Sequence, residues 1–103
     1  MSILISGANG FIGSDLVKNL STDYKIYGIY RRKNSLVKKQ KNVRWIKFDL
    51  KKNFKKKLKP FPKYIIHCAI DNKSKNDRGT KKFILKNYKI LSNLINPLYR
   101  KKI

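Results

Sequence analysis

Gly7, Gly10 and Gly13 stand three residues apart in the run Gly7-Ala8-Asn9-Gly10-Phe11-Ile12-Gly13, directly after the apolar Ile3-Leu4-Ile5. Glycines between a strand and a helix keep side chains away from the backbone, so that N–H groups can approach a pyrophosphate, and the helix N-terminus adds positive potential. Phe11, Ile12, Leu16, Val17 and Leu20 then fall on one side of a helical pattern, with Phe11 and Ile12 supplying the first amides of that helix. Dinucleotide binding is the chemistry this predicts. A tight strand-to-helix turn with no ligand is the competing account of the same glycines.

A second charged group follows the next apolar run, Lys25-Ile26-Tyr27-Gly28-Ile29-Tyr30. At the end of such a strand an acidic residue accepts hydrogen bonds from the 2′-OH of NAD, whereas arginine accommodates the 2′-phosphate of NADP. This chain has Arg31-Arg32-Lys33-Asn34-Ser35 there, and no acid between Asp23 and Asp49. The guanidinium fork binds phosphate at two points and the Ser35 hydroxyl adds a third, so the predicted cofactor is NADP, ahead of NAD. The alternative makes Arg31 and Arg32 two more surface charges of a very basic chain.

The glycine spacing is GxxGxxG, not the GxGxxG of the common fingerprint, and it resembles the first turn of the extended short-chain dehydrogenase/reductase family. These are the NAD(P)-dependent sugar epimerases and dehydratases, whose turn is written GxxGFIG; Gly7, Gly10, Phe11, Ile12 and Gly13 match it. The stretch Gly28-Ile29-Tyr30-Arg31-Arg32-Lys33-Asn34-Ser35 resembles the RRxS-type stretch of the NADP-dependent GDP-mannose dehydratases. What the resemblance implies is an α/β, Rossmann-like parallel sheet in the order 3-2-1-4, followed by a fifth strand, with flanking helices. It also implies adenine contacts from Asp49 and Leu50, and a cofactor groove lined by Ala69. His67 and Ala69 match the family's His-x-Ala-Ala pattern, while Ile70 replaces the second Ala. Asn87 and Asn93-Leu94-Ile95 resemble the signature of the family's next helix, with Ile90-Leu91 in place of a Gly-Thr pair.

The elements that must hold these groups are legible in the pattern. Val43 to Phe48 alternates as a third strand after a lysine-rich connection from Leu36 to Asn42. Lys51 to Lys59 is expected to form a poor helix anchored by Phe54 and Leu58, stopped by Pro60-Phe61-Pro62; Asp49 is then an alternative helix cap. Tyr64 to Ala69 is expected as a buried fourth strand, with His67 a packed histidine because no acid or metal-spaced Cys/His cluster accompanies it. After a polar loop, Asp71 to Gly79, the spacing of Phe83, Ile84, Tyr88, Leu91, Leu94 and Ile95 predicts a helix over Thr80 to Ile95. Pro97 would end it, leaving Tyr99 to Ile103 as the approach to a fifth strand.

Composition sets the outer limits. The 103 residues make one domain's worth; the resemblance implies that they are a partial NAD(P)-binding Rossmann domain over 1–103, about the first third of a typical family member. The absence of a long apolar window or a leader pattern, and a single Cys68, make cytoplasmic the expected location, with no membrane partner. With 27 Lys and Arg against five Asp and no Glu, the formal charge is +22, which favours anionic partners. A small basic nucleic-acid-binding protein is therefore the alternative function, its lysines interleaved with Tyr27, Tyr30, Trp45 and Phe48. Family catalysis uses a YxxxK pair, and none occurs in this sequence. The expectation is a cofactor-binding segment inactive on its own, whose open strand edge at Tyr64 to Ala69 meets a complementing chain or a second copy.

Overall fold

Ser2-Ile3-Leu4-Ile5-Ser6 is buried at every position, which a strand achieves only with neighbours on both sides and cover on both faces. The computed structural model describes residues 1–70 and 80–100, excluding the side chains of Tyr99 and Arg100. Its elements are β1 (Ser2–Ser6), α1 (Phe11–Leu20), β2 (Lys25–Tyr30), β3 (Val43–Lys47), β4 (Tyr64–His67) and α2 (Lys81–Arg100). The strands form one sheet in the order β3-β2-β1-β4, with every pairing parallel. This is the Rossmann-like arrangement that the sequence predicts. Two compact units make up the chain: Met1–Asp49 with Lys56–Cys68, and Leu50–Lys55 with Ala69–Ile103.

In the first unit the register puts Ile3, Ile26 and Val43 in one row and Ile5, Gly28, Trp45 and Ile66 in another on the same face. Val17 of α1 is buried against Ile3, Ile5, Ala8 and Ile26, with Leu16 and Leu20 packed around them. A Cβ on Gly28 would lie 2.9 Å from Trp45 Cε3, so its absence lets the indole lie across β2. The other face buries Leu4, Tyr27, Ile29 and Ile46. There the Tyr27 hydroxyl donates to Pro60 O (2.7 Å) and Ser2 Oγ to Phe61 O (3.2 Å), tying the chain before β4 to the sheet. Asn42, at φ 66, turns the chain into β3 and donates from Nδ2 to Ser21 O.

Several expectations need correction. Phe11 and Ile12 are 95% and 66% exposed, so the buried stripe of α1 begins only at Gly13. Lys51 to Lys59 is not helical: like charges stand four apart at Lys51 and Lys55, Lys52 and Lys56, and Lys55 and Lys59, and this repulsion outweighs two apolar anchors. Asp49 therefore has no helix to cap. β4 ends at His67, and it is half-buried, with Tyr64 52% exposed, because among the described residues it pairs only with β1.

In the second unit α2 starts at Lys81, where Thr80 Oγ1 accepts the Phe83 N–H (3.2 Å), and it continues through Pro97 to Arg100. Proline removes the N–H that would bond the carbonyl four residues earlier, Asn93. Here that carbonyl accepts the Phe54 N–H instead (2.9 Å), and Asn93 Nδ2 donates to Leu50 O (2.8 Å). With the orphaned acceptor satisfied, the helix does not end at proline, and Tyr99 and Arg100 are helical, not an approach to a strand. Asp71 to Gly79 and Lys101 to Ile103 lie outside the described residues. No described helix is long and apolar enough to cross a membrane.

Candidate functional site

The groups singled out by type and spacing gather where β1 and β2 end. Gly7 leaves β1 at φ 63, a backbone conformation that L side chains rarely adopt, and Gly10 N–H closes the turn onto Gly7 O (3.0 Å). Gly10 then caps α1 with extended backbone (φ −83, ψ −178) and no side-chain cap, so the first helical amides of Phe11 and Ile12 have no capping side chain over them. Their exposed side chains take no part in the core, leaving the backbone as their contribution.

The fit of a pyrophosphate is tested by what a side chain would do at the turn. A Cβ on Gly13 would overlap Gly7 O and stand 2.8 Å from Gly7 C and 3.0 Å from Ala8 Cα. The first turn of α1 is thus packed backbone against backbone on the end of β1. At Gly10 the same atom would meet Gly7 O at 3.3 Å, a tight contact on the rim of the turn. Bare backbone, a left-handed glycine and a helix N-terminus together form a cradle that suits a dinucleotide phosphate.

Arg31, half-buried, and Arg32 and Ser35, exposed, follow β2. Their loop is joined to the glycine turn by side chains that the sequence did not single out. Asn9 Nδ2 donates to Arg32 O (2.7 Å), and Asn34 Nδ2 donates to Asn9 O (3.0 Å). Asn34 Oδ1 accepts the Leu36 N–H (3.0 Å), and Ala8 N–H donates to Ile29 O (3.0 Å) at the base of the junction. An asparagine two residues before an acceptable turn amide is a local signal, but its long-range bond to Asn9 has none.

Asp49 is exposed at the end of the first unit, just after Phe48 N–H bonds Tyr30 O (2.9 Å). Leu50 and Ala69 belong to the second unit, Leu50 buried and Ala69 half-buried. The structure therefore brings together Gly7, Gly10, Gly13, Phe11, Ile12, Arg31, Arg32 and Ser35, while the adenine and groove assignments of Asp49, Leu50 and Ala69 rest on resemblance.

His67 is tied into the sheet. Its Nδ1 lies 2.6 Å from Ser6 Oγ, which also accepts the Cys68 N–H (3.1 Å). Burial holds its pKa below the ordinary histidine value and pushes the Cys68 thiol up. Among the described residues no three His, Cys, Asp or Glu stand close enough to hold a metal. Of the aromatics singled out for base stacking, Tyr27 is buried with Arg44 over its ring, Tyr30 packs edge-on against Trp45 at 6.2 Å, and Phe48 is half-buried.

The NAD dependent epimerase/dehydratase family model matches residues 3–103. Among solved structures, the chain is similar to the oxidoreductase ylbE from Lactococcus lactis, at 26% identity and a TM-score of 0.68. That similarity covers 100% of this chain and 45% of the other, so the chain spans less than half the length of that protein. No curated protein matches the chain. With the glycine turn, the sheet order and the family match in agreement, this chain belongs to the NAD-dependent epimerase/dehydratase family.

Proposed function

We propose that the chain is the NADP-binding segment of a cytoplasmic epimerase or dehydratase of the nucleotide-sugar class, without catalysis of its own. A nicotinamide dinucleotide follows from the family. The preference for NADP is supported by one observation above the rest: the arginine-bearing loop is hydrogen-bonded to the phosphate cradle through Asn9 and Arg32 O, and carries no acid. In this reading Gly7, Gly10 and Gly13 open the backbone to the pyrophosphate, and Phe11 and Ile12 present amides to it. Arg31, Arg32 and Ser35 hold the 2′-phosphate, Asp49 and Leu50 the adenine, and Ala69 lines the groove.

Catalysis by the family's route needs a tyrosine and a lysine four residues later, a pair this sequence lacks. A complementing segment that carries the pair would add its strand to the outer edge of β4.

Titration with NADPH and with NADH near physiological salt, followed by quenching of Trp45 fluorescence, tests the reading. NADPH is expected to bind more tightly, and replacing Arg31 and Arg32 together by Ala to weaken NADPH by about tenfold or more while leaving NADH nearly unchanged. Equal binding of the two cofactors by the unaltered chain would overturn the NADP assignment.

A further inference from the structure

The hydrogen bonds between the glycine turn and the β2–β3 loop form a closed clasp. One bond runs from the Asn9 side chain to the Arg32 backbone (2.7 Å), and the other from the Asn34 side chain to the Asn9 backbone (3.0 Å). Each asparagine thus holds the other's segment, across sequence separations of 23 and 25 residues. Asn34 is itself fixed on both sides, by the Leu36 N–H on Oδ1 (3.0 Å) and by the Val37 N–H on its carbonyl (3.1 Å). Trp45 packs beside Gly28 on the cluster that contains Ala8 and donates from Nε1 to Lys38 O (2.7 Å), which holds a later part of the same loop.

We propose that Asn9 and Asn34 are positioning residues for cofactor selection: they set the distance between the pyrophosphate cradle and the arginines that receive the 2′-phosphate. The inference rests on the NADP reading above and deepens it. Arg31 to Ser35 lies outside regular structure and carries three adjacent positive charges, Arg31, Arg32 and Lys33, that repel one another. Without the clasp, such a loop would have to be ordered each time a phosphate arrived, at a cost in conformational entropy. With it, the basic groups wait at one fixed spacing from the turn. A cofactor with a 2′-hydroxyl makes no use of those groups, so loss of the clasp should weaken NADPH and leave NADH little changed. A general role in folding would weaken both alike.

The test uses the full chain and two charge-neutral substitutions. Asn9→Ala removes the donor to Arg32 O, and Asn34→Ser removes the donor to Asn9 O while keeping a hydroxyl oxygen for the turn. Each is expected to weaken NADPH about five- to tenfold, to change NADH less than about twofold, and so to reduce the NADPH-to-NADH ratio. Amide hydrogen exchange of the cofactor-free variants is the second readout: exchange at Leu36 and Val37 should quicken, with Ile3 to Ile5 of β1 unchanged as the control for folding. Equal weakening of both cofactors, or an unchanged ratio, overturns the inference even when the unaltered chain prefers NADPH. Unchanged exchange at Leu36 and Val37 overturns it as well. If the unaltered chain shows no NADPH preference, the NADP reading falls, and the selectivity role falls with it. Should Asn34→Ser fail the β1 control, Asn9→Ala alone decides.

Discussion

Gly13 and Gly10 look alike in the motif and differ in what they would tolerate. A methyl group at Gly13 would run into the backbone of Gly7, which cannot give way without moving β1 or α1. Gly13→Ala is expected to cost about 2 kcal/mol or more in urea denaturation, as overpacking against backbone does. At Gly10 the backbone is already of a kind alanine adopts, and the contact is 3.3 Å, so Gly10→Ala should stay within about 1 kcal/mol of the parent and show its effect in weaker dinucleotide binding. Equal destabilisation by the two would contradict this division of labour. His67 makes a different contribution. Burial depresses its pKa, so the unfolded chain takes up the proton first as pH falls below about 6.5. Stability is then fully present above that value and declines on acidification until the folded-state pKa is passed. The melting temperature is expected to fall from about pH 7.5 to about pH 5.5, and His67→Asn to flatten that slope. An identical slope in the variant would place the pH dependence elsewhere.

At the scale of the element, α2 shows how a rule about proline is set aside. Pro97 deprives the Asn93 carbonyl of its helical donor, and Phe54 supplies another, while the Asn93 amide reaches Leu50 O. One buried asparagine fastens an irregular, lysine-rich segment that forms no helix of its own. Asn93→Ala is expected to cost about 1–3 kcal/mol, the range for leaving a buried partner unsatisfied, and to speed tryptic cleavage at Lys51, Lys52 and Lys55. Pro97→Ala should change stability by less than about 1 kcal/mol, not by the roughly 3 kcal/mol of an ordinary helix-interior proline, because the displaced carbonyl is already satisfied. Urea denaturation of the two variants checks both values.

For the molecule as a whole, charge is the governing quantity. With 27 cationic side chains and five aspartates, most of the cations have no carboxylate to meet, and the formal charge of +22 acts against compaction. The melting temperature is therefore expected to rise from about 0.1 M to about 1 M salt, as the Debye length contracts from about 10 Å to about 3 Å. A melting temperature that falls with salt would mean that attractive pairs outweigh the repulsion. The same charge draws any anion to the surface, so dinucleotide affinity is expected to decline with salt.

Local signals suffice for the apolar centre of β1, the glycine turn, the β2 run and the basic residues after it. Their spacing alone places a glycine turn and a cationic loop at successive strand ends, whereas the parallel order 3-2-1-4 is what the resemblance to the family implies. Features that depend on partners far along the chain emerge only once the fold has brought those partners together. The Asn9 and Asn34 clasp joins segments more than twenty residues apart, and the passage of α2 through Pro97 depends on an amide at Phe54. Exposure of Phe11 and Ile12 was likewise invisible, since an apolar residue at a helix N-terminus fits a buried stripe equally well until the neighbouring strands are in place. Hydrophobic period and glycine spacing report on the chain's own geometry, whereas a hydrogen bond or a burial depends on what the fold brings alongside it.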